Sequence, residues 1–250
     1  MTEEEDVAAR ARGLMRGLGP AALATIRDGA PNASLVTPAC LPDLTPVLLL
    51  SSLAEHTRAL AVSGKCSLLF LGQAAAEDGL ANPQTIPRVT VRGTARPTAE
   101  PLVRRRYLAV HPYAAQYAVF GDFGFWVVGI ESVHMVGGFA QAVSLTPAAL
   151  MGAACVAADF AAAEEAAVAR CNTDRAAALS VLGARATGRQ GAWTMVAADP
   201  DGADLVWGRY RARIAFQAPL AHPEDLDAVI GALIDRPSVQ GGAGRLGGIR

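Results

Sequence analysis

The chain has 250 residues, 52% of them hydrophobic and 18% charged, with a formal net charge of -1. That length and apolar fraction leave room for one large or two modest domains and exclude an intrinsically disordered chain. Near-neutral charge gives no electrostatic footprint for nucleic acid or an anionic membrane surface, and no apolar run approaches the ~18 residues of a membrane span.

The N-terminal segment MTEEED is acidic where a secretory signal would be basic and then apolar, so a cytoplasmic protein is expected. Thr2-x-x-Glu5 has the form of a capping box, and Val7, Ala11, Leu14, Met15 and Leu18 follow at helical spacing until Gly19-Pro20. Ala21–Ile26 and Ala33–Pro38 flank Asp28-Gly29, a hairpin signal. Next comes the stretch VLLLSSLAEHTRALAVSGKCSLLFL, from Val47 to Leu71. It reads as a strand buried on both faces, a helix starting near Glu55, and a second strand from Cys66. A strand that stops at Ser51 and Ser52 and enters a helix carrying His56, Thr57 and Arg58 is a candidate anion site, because first-turn N–H groups are unpaired and the helix dipole favours negative charge. The competing reading is an ordinary helix whose Ser and Thr satisfy only their own backbone.

Residues 72 to 87 read as a surface loop, and RVTVRGTA from Arg88 alternates as a strand. Glu100 to Val110 reads as a helix whose Arg104-Arg105-Arg106 run is a solvated face, and Pro112 to Phe120 as another short helix. Phe123–Ile130 and Val133–Phe139 read as paired strands turning at Gly129 through Ser132. These strands at short spacing predict a mainly β fold with flanking helices, a closed or half-closed barrel over residues 1–145. Residues 146–160 read as a linker. Residues 161–236 then form a small α+β domain of two helices, three strands (Ala192–Ala198, Ala203–Trp207, Tyr210–Phe216) and a helix from Pro223 to Ile234. The Gly-rich tail, 237–250, is expected to be disordered.

Several motifs are set aside. Gly242-Ala243-Gly244-Arg245-Leu246-Gly247 matches a dinucleotide fingerprint but follows no strand and opens no helix. Asp122-Phe123-Gly124 spells a kinase motif without its companions. The four cysteines, Cys40, Cys66, Cys155 and Cys171, form no CxxC pair and read as buried free thiols. The four histidines, His56, His111, His134 and His222, lack metal-ligand spacing, so no metal site is expected, and only His56 sits among anion-compatible groups.

SSLAEHTRAL, then CSLLFL, a loop and RVTVRGTA, resembles the FMN-binding split barrel of the pyridoxamine 5'-phosphate oxidase-like family. Arg106-Tyr107-Leu108, His111-Pro112, Tyr117, Phe120, Asp122-Phe123 and Val136-Gly137-Gly138-Phe139 are similar to its haem-utilisation branch. Arg170-Cys171-Asn172-Thr173-Asp174-Arg175 is similar to the start of the small domain that often follows the barrel, with the family's two histidines replaced. The resemblance implies a homodimer with FMN in a groove at the subunit interface. His56, Thr57 and Arg58 match its phosphate-binding turn, with Ser51 and Ser52 leading in. Ser34 lies on the strand that supplies a phosphate-binding arginine elsewhere, and Arg88 stands where a flavin-contacting glutamine is found. No catalytic acid or base is identifiable. The resemblance thus implies an FMN-dependent oxidoreductase of undefined substrate. The alternatives are a haem-binding or haem-degrading protein, with His56, His111 or His134 as axial ligand, and a non-enzymatic regulatory binding protein built from the same two domain types.

Overall fold

The computed structural model describes residues 2–72, 82–138, 141–151 and 157–235. Cys155, most of the loop after Gly72 and the tail lie outside the described residues. The chain divides into two compact units, 1–161 and 162–250.

The first unit opens with α1 (Glu3–Met15), whose capping box is formed as expected: Glu5 N–H donates to Thr2 Oγ1 and Thr2 N–H to the Glu5 carboxylate. The strands are β1 (Ala21–Arg27), β2 (Ala30–Val36), β3 (Ala39–Cys40), β4 (Pro46–Ser51), β5 (Lys65–Leu71), β6 (Arg88–Thr98), β7 (Phe123–Gly138) and β8 (Gln141–Leu145). Between β4 and β5 lies α2 (Glu55–Ser63); α3 (Pro101–Val110) and a 3-10 turn (Pro112–Gln116) separate β6 from β7, and α4 (Pro147–Met151) follows β8. Asp28 and Gly29 both take positive φ, 52° and 78°, which is the backbone a two-residue hairpin turn requires.

The sheet runs β2-β1-β5-β6-β7-β4-β3, with β8 added to β7, and its pairs are antiparallel. Leu23, Leu48, Leu50, Leu68, Val89, Val91, Val128, Val133 and Met135 fill one interior, joined by Ala8, Ala11 and Met15 of α1. The architecture is the expected one, a mainly β split barrel with flanking helices.

Two expectations are corrected, the first of them in β7. Gly129 to Ser132 is not a turn: β7 is a single strand of 16 residues, paired with β6 along its length. The break in pattern is a bulge opposite Arg92 and Gly93, where the β7 backbone comes so close that a Cβ at Gly93 would collide with the Gly129 carbonyl oxygen. Strand β8, which the sequence did not signal, pairs with the far half of β7.

The sheet closes on itself through the chain rather than through a ladder. β2 pairs with β1, and β3, two residues further on, pairs with β4. Between them Thr37-Pro38 belongs to neither ladder, so the wall is split there. Side chains take over the orphaned carbonyls. Tyr107 Oη donates to Thr37 O (2.9 Å), His111 Nε2 to Pro38 O (3.0 Å) and Arg106 Nε to Cys40 O (2.9 Å). Arg16 continues the series with Leu41 O (3.1 Å) and Pro42 O (2.7 Å). The Arg104–Arg106 run is therefore not wholly a solvated face. Arg106 is 3% exposed and shares the buried stripe of α3 with Val103, Tyr107 and Val110.

The second unit holds most of α5 (Ala157–Asp174), then α6 (Ala176–Thr187), the three-stranded sheet of β9 (Thr194–Asp199), β10 (Gly202–Trp207) and β11 (Tyr210–Ala215), and α7 (Leu226–Ile234) behind a 3-10 turn. Asn172 imitates a strand neighbour. Its amide donates to Met195 O and accepts from Met195 N–H, both at 2.8 Å. Arg213 lies between two buried carboxylates, Asp199 (2.8 Å) and Asp204 (3.2 Å).

Candidate functional site

At the split, a cavity of about 450 Å³ is lined by Leu35, Val36 and Thr37 from one edge of the wall and Leu48 to Ser51 from the other. Ala54 and His56 of the α2 turn, Tyr107 of α3, and Tyr117, Phe120 and Phe123 complete the lining. The volume is within the range of roughly 300–1,000 Å³ typical of small-molecule sites. The lining is apolar and aromatic, with Ser51, His56 and the tyrosine hydroxyls as its polar groups, a composition that suits a flat hydrophobic ligand.

β4 reaches the cavity because its Pro46–Leu50 run is buried on both faces: Leu48 and Leu50 enter the barrel interior while Val47 and Leu49 lie under α3. It stops at Ser51, whose Oγ donates to Asp122 Oδ2 (2.7 Å) and accepts from Leu53 N–H (3.2 Å). Ser52 N–H donates to the Asp122 carbonyl (2.6 Å). The N-cap of α2 is Ala54, which has no side chain to cap the helix. Among the described residues no acceptor is recorded for the first-turn N–H groups of Glu55, His56 and Thr57.

The sequence-derived candidates separate. Ser51 and His56 meet in the cavity. Ser52 is exposed beside it and Arg58 is exposed on α2. Thr57 turns the other way: it is 6% exposed, and its Oγ1 has no hydrogen-bond partner. Ser34 is half-buried on β2 opposite Leu23, one residue before the lining begins. Arg88 lies at the start of β6, opposite Leu71 and Val136, with its guanidinium on the Gln84 and Ile86 carbonyls.

The histidines differ in the same decisive way. Burial lowers the pKa of the half-buried His56 below the ordinary imidazole value of 6.5, so at neutral pH it is uncharged with a lone pair available. His111 is fully buried with both ring nitrogens engaged, Nε2 on Pro38 O and Nδ1 facing Tyr113 Oη at 3.4 Å. His134 is exposed on β7 with Nδ1 on Ser144 Oγ, and His222 precedes the turn before α7 in the other unit. No group of three or more His, Cys, Asp or Glu side chains could hold a metal ion among the described residues.

Sequence reasoning gave no role to Tyr107, Tyr117, Phe120, Asp122 or Phe123, although these residues carried the resemblance to the haem-utilisation branch. The rings among them are joined through His111 and Tyr113: Tyr107–His111 at 4.8 Å, His111–Tyr113 at 5.6 Å, Tyr113–Tyr117 at 6.4 Å, Tyr117–Phe123 at 5.1 Å and Phe120–Phe123 at 6.4 Å between centroids, with Tyr107 also meeting Phe125 at 5.7 Å. Arg104 stands next to them. Its guanidinium lies 5.8 Å over the Phe125 ring and donates to Ala118 O, next to Tyr117. Burial raises the Tyr107 and Tyr117 phenols above their ordinary values, so both stay protonated donors at neutral pH.

The chain is similar to several known proteins. A heme binding protein from Mycobacterium smegmatis superposes with a TM-score of 0.54 at 28% identity, covering 91% of this chain and 95% of that one. The Agrobacterium tumefaciens protein Atu2129, of unknown function, gives a TM-score of 0.71 at 25% identity over 93% and 98% of the two chains. The non-canonical heme oxygenase HOZ of Arabidopsis thaliana, described as chloroplastic, is 39% identical over 118 residues, 46% of this chain. That match spans 34% of the relative, about a third of its length. Among the described residues no helix is long and apolar enough to cross a membrane. The family profile described as CREG, beta-barrel matches residues 2–149, more than half of the chain, and the protein belongs to that family.

Proposed function

We propose that the cavity at the barrel split binds haem, with His56 as the protein ligand to its iron. The observation that carries this reading is the placement of a neutral imidazole in an aromatic, apolar pocket, while each other histidine of the chain is occupied or elsewhere. The residues present fit the group. The aromatic walls would hold the macrocycle, and Arg104 stands near enough to them to serve an acidic side arm. Haem supplies iron-centred redox and dioxygen chemistry when bound. The heme-related names of two relatives support the reading. Hemin titrated into the purified protein should give a sharp Soret band that shifts and weakens in His56→Ala. An unchanged band in that variant refutes His56 as ligand, and no band in the wild type refutes the haem reading.

A flavin is the second reading, favoured by the uncapped start of α2, whose first-turn N–H groups are suited to a phosphate. In that case Ser51, Ser52, His56 and Arg58 would surround the FMN phosphate and Ser34 would lie along the cofactor, with Thr57 and Arg88 outside the cavity, and the protein would be a flavin-dependent oxidoreductase. His56→Ala should then weaken FMN more than riboflavin, and equal losses would remove the phosphate role. Under either reading a second copy of the chain covers the cavity mouth, where Leu35 is 76%, Leu53 68%, Val119 70% and Phe120 55% exposed. Light scattering at micromolar concentration should report a dimer, and a monomer would remove the shared-groove arrangement. A protein that took up neither cofactor but retained a protein partner would match the regulatory reading instead.

A further inference from the structure

We propose that Asp122 is the positioning residue of this site: it clamps the turn from β4 into α2 and so sets where His56 stands. The inference rests on the haem reading for its functional meaning but has a structural test of its own.

The turn has little to hold it from within. It spans Ser52, Leu53 and Ala54, and its helix begins on an alanine without a side-chain cap. Support comes from the residue before β7, the strand paired with β4. Asp122 receives the Ser51 hydroxyl on its carboxylate (2.7 Å) and the Ser52 N–H on its main-chain carbonyl (2.6 Å). Ser51 in turn receives Leu53 N–H on its hydroxyl (3.2 Å) and Ala54 N–H on its carbonyl (3.1 Å). Four bonds thus run from one aspartate through one serine to the residue before α2. Asp122 is itself fixed between two lining rings, since Phe123 N–H donates to Phe120 O (3.1 Å) across it. The Asp122 side chain thus adds one bond between the aromatic segment and the turn, beyond the β4–β7 ladder. A carboxylate acceptor makes the bond to Ser51 a charge-assisted one, stronger than a neutral pair. A ligand site needs its coordinating group held to within a fraction of an ångström, and the Asp122–Ser51 bond carries the β4–β7 ladder, which ends at Ser51 and Phe123, on into the turn.

The test compares the wild type with Asp122→Ala, Asp122→Asn, Ser51→Ala and the Ser51→Ala/Asp122→Ala double variant. Losing a hydrogen bond to a charged group predicts about tenfold weaker hemin binding in Asp122→Ala, with a broadened and displaced Soret band. Asparagine keeps an oxygen that can accept the Ser51 proton, so Asp122→Asn should regain most of the affinity. The double variant should be no worse than Asp122→Ala, because both residues act through one bond. Wild-type affinity and spectrum in Asp122→Ala, or an asparagine no better than alanine, would overturn the proposal. If Asp122→Ala fails to fold, Ser51→Ala is expected to show the same spectral change, and its absence counts against the clamp. Hydrogen exchange at the Leu53 and Ala54 amides is read in parallel without hemin. About tenfold faster exchange in Asp122→Ala supports the clamp, and unchanged exchange overturns it even if the wild type binds no haem.

Discussion

The hydrogen bond between Tyr107 and Thr37 gives a direct measure of how the barrel is held at its split. Tyr107 is 1% exposed, and its hydroxyl donates to Thr37 O at 2.9 Å and lies 3.2 Å from Thr37 Oγ1. Tyr107→Phe keeps the ring and its contacts with His111 and Phe125 and deletes only the oxygen. The Thr37 carbonyl then has no ladder partner to fall back on, because Thr37 lies in the gap between β2 and β3. A fully buried orphan would cost about 1–3 kcal/mol, but Thr37 is half-buried and faces the cavity, where water can reach it, so about 1–2 kcal/mol is expected. With a urea dependence of about 2 kcal/mol per molar, that is a midpoint shift of roughly 0.5–1 M. Because the chain has two units, unfolding should be followed by hydrogen exchange in peptides spanning β2 to β4 rather than by a global signal. Thr37→Ala combined with Tyr107→Phe should be less than additive for the hydroxyl pair. A midpoint within about 0.2 M of wild type, with the same slope, would refute the claim that this bond closes the wall.

Other expectations follow from the same coordinates. Protonated imidazole cannot bind iron, and burial lowers the His56 pKa, so haem loading should persist at neutral pH and fall on acidification with a midpoint below 6.5; a midpoint at or above 6.5 in spectral titration would contradict the buried placement. Gly93→Ala places a methyl against the Gly129 carbonyl oxygen at the bulge and should destabilise the first unit by about 1–3 kcal/mol in denaturant, and a neutral effect would show that the bulge can relax. Arg213→Ala removes the cation shared by Asp199 and Asp204. Burial opposes the Arg213 charge, yet the two carboxylates hold its pKa above the ordinary value, so the loss should cost about 3–5 kcal/mol, read by hydrogen exchange in β9 to β11.

Much of this fold was legible because local signals agreed with it. The capping box, the Asp28-Gly29 turn and the alternation from Arg88 each act over a few residues, and each appears in the structure. The misread segment, Gly129 to Ser132, fails for a physical reason. A glycine before three residues that break alternation describes a turn and a bulge equally well, and only the partner strand decides. Arg106 shows a signal that was present but masked by charge. It falls three residues after Val103 and four before Val110, on the same stripe as Tyr107, and that spacing marks the inner face of α3. For the site, Ser51 and His56 could be found from their neighbours in sequence. Asp122, 71 residues from Ser51, could not, because its role exists only once β4 and β7 lie side by side.

The gap at Thr37-Pro38 also sets how the molecule can move. Elsewhere in the wall, separating two neighbours means breaking a run of strand-to-strand bonds together. Here β2 and β4 share no ladder: the chain itself crosses through Thr37-Pro38, and its carbonyls, with that of Cys40, are held by side chains of α3 and the residue after it. A small displacement of that one helix would release Tyr107, His111 and Arg106 in turn and leave each ladder intact. Beside the cavity, the wall therefore depends on where one helix stands.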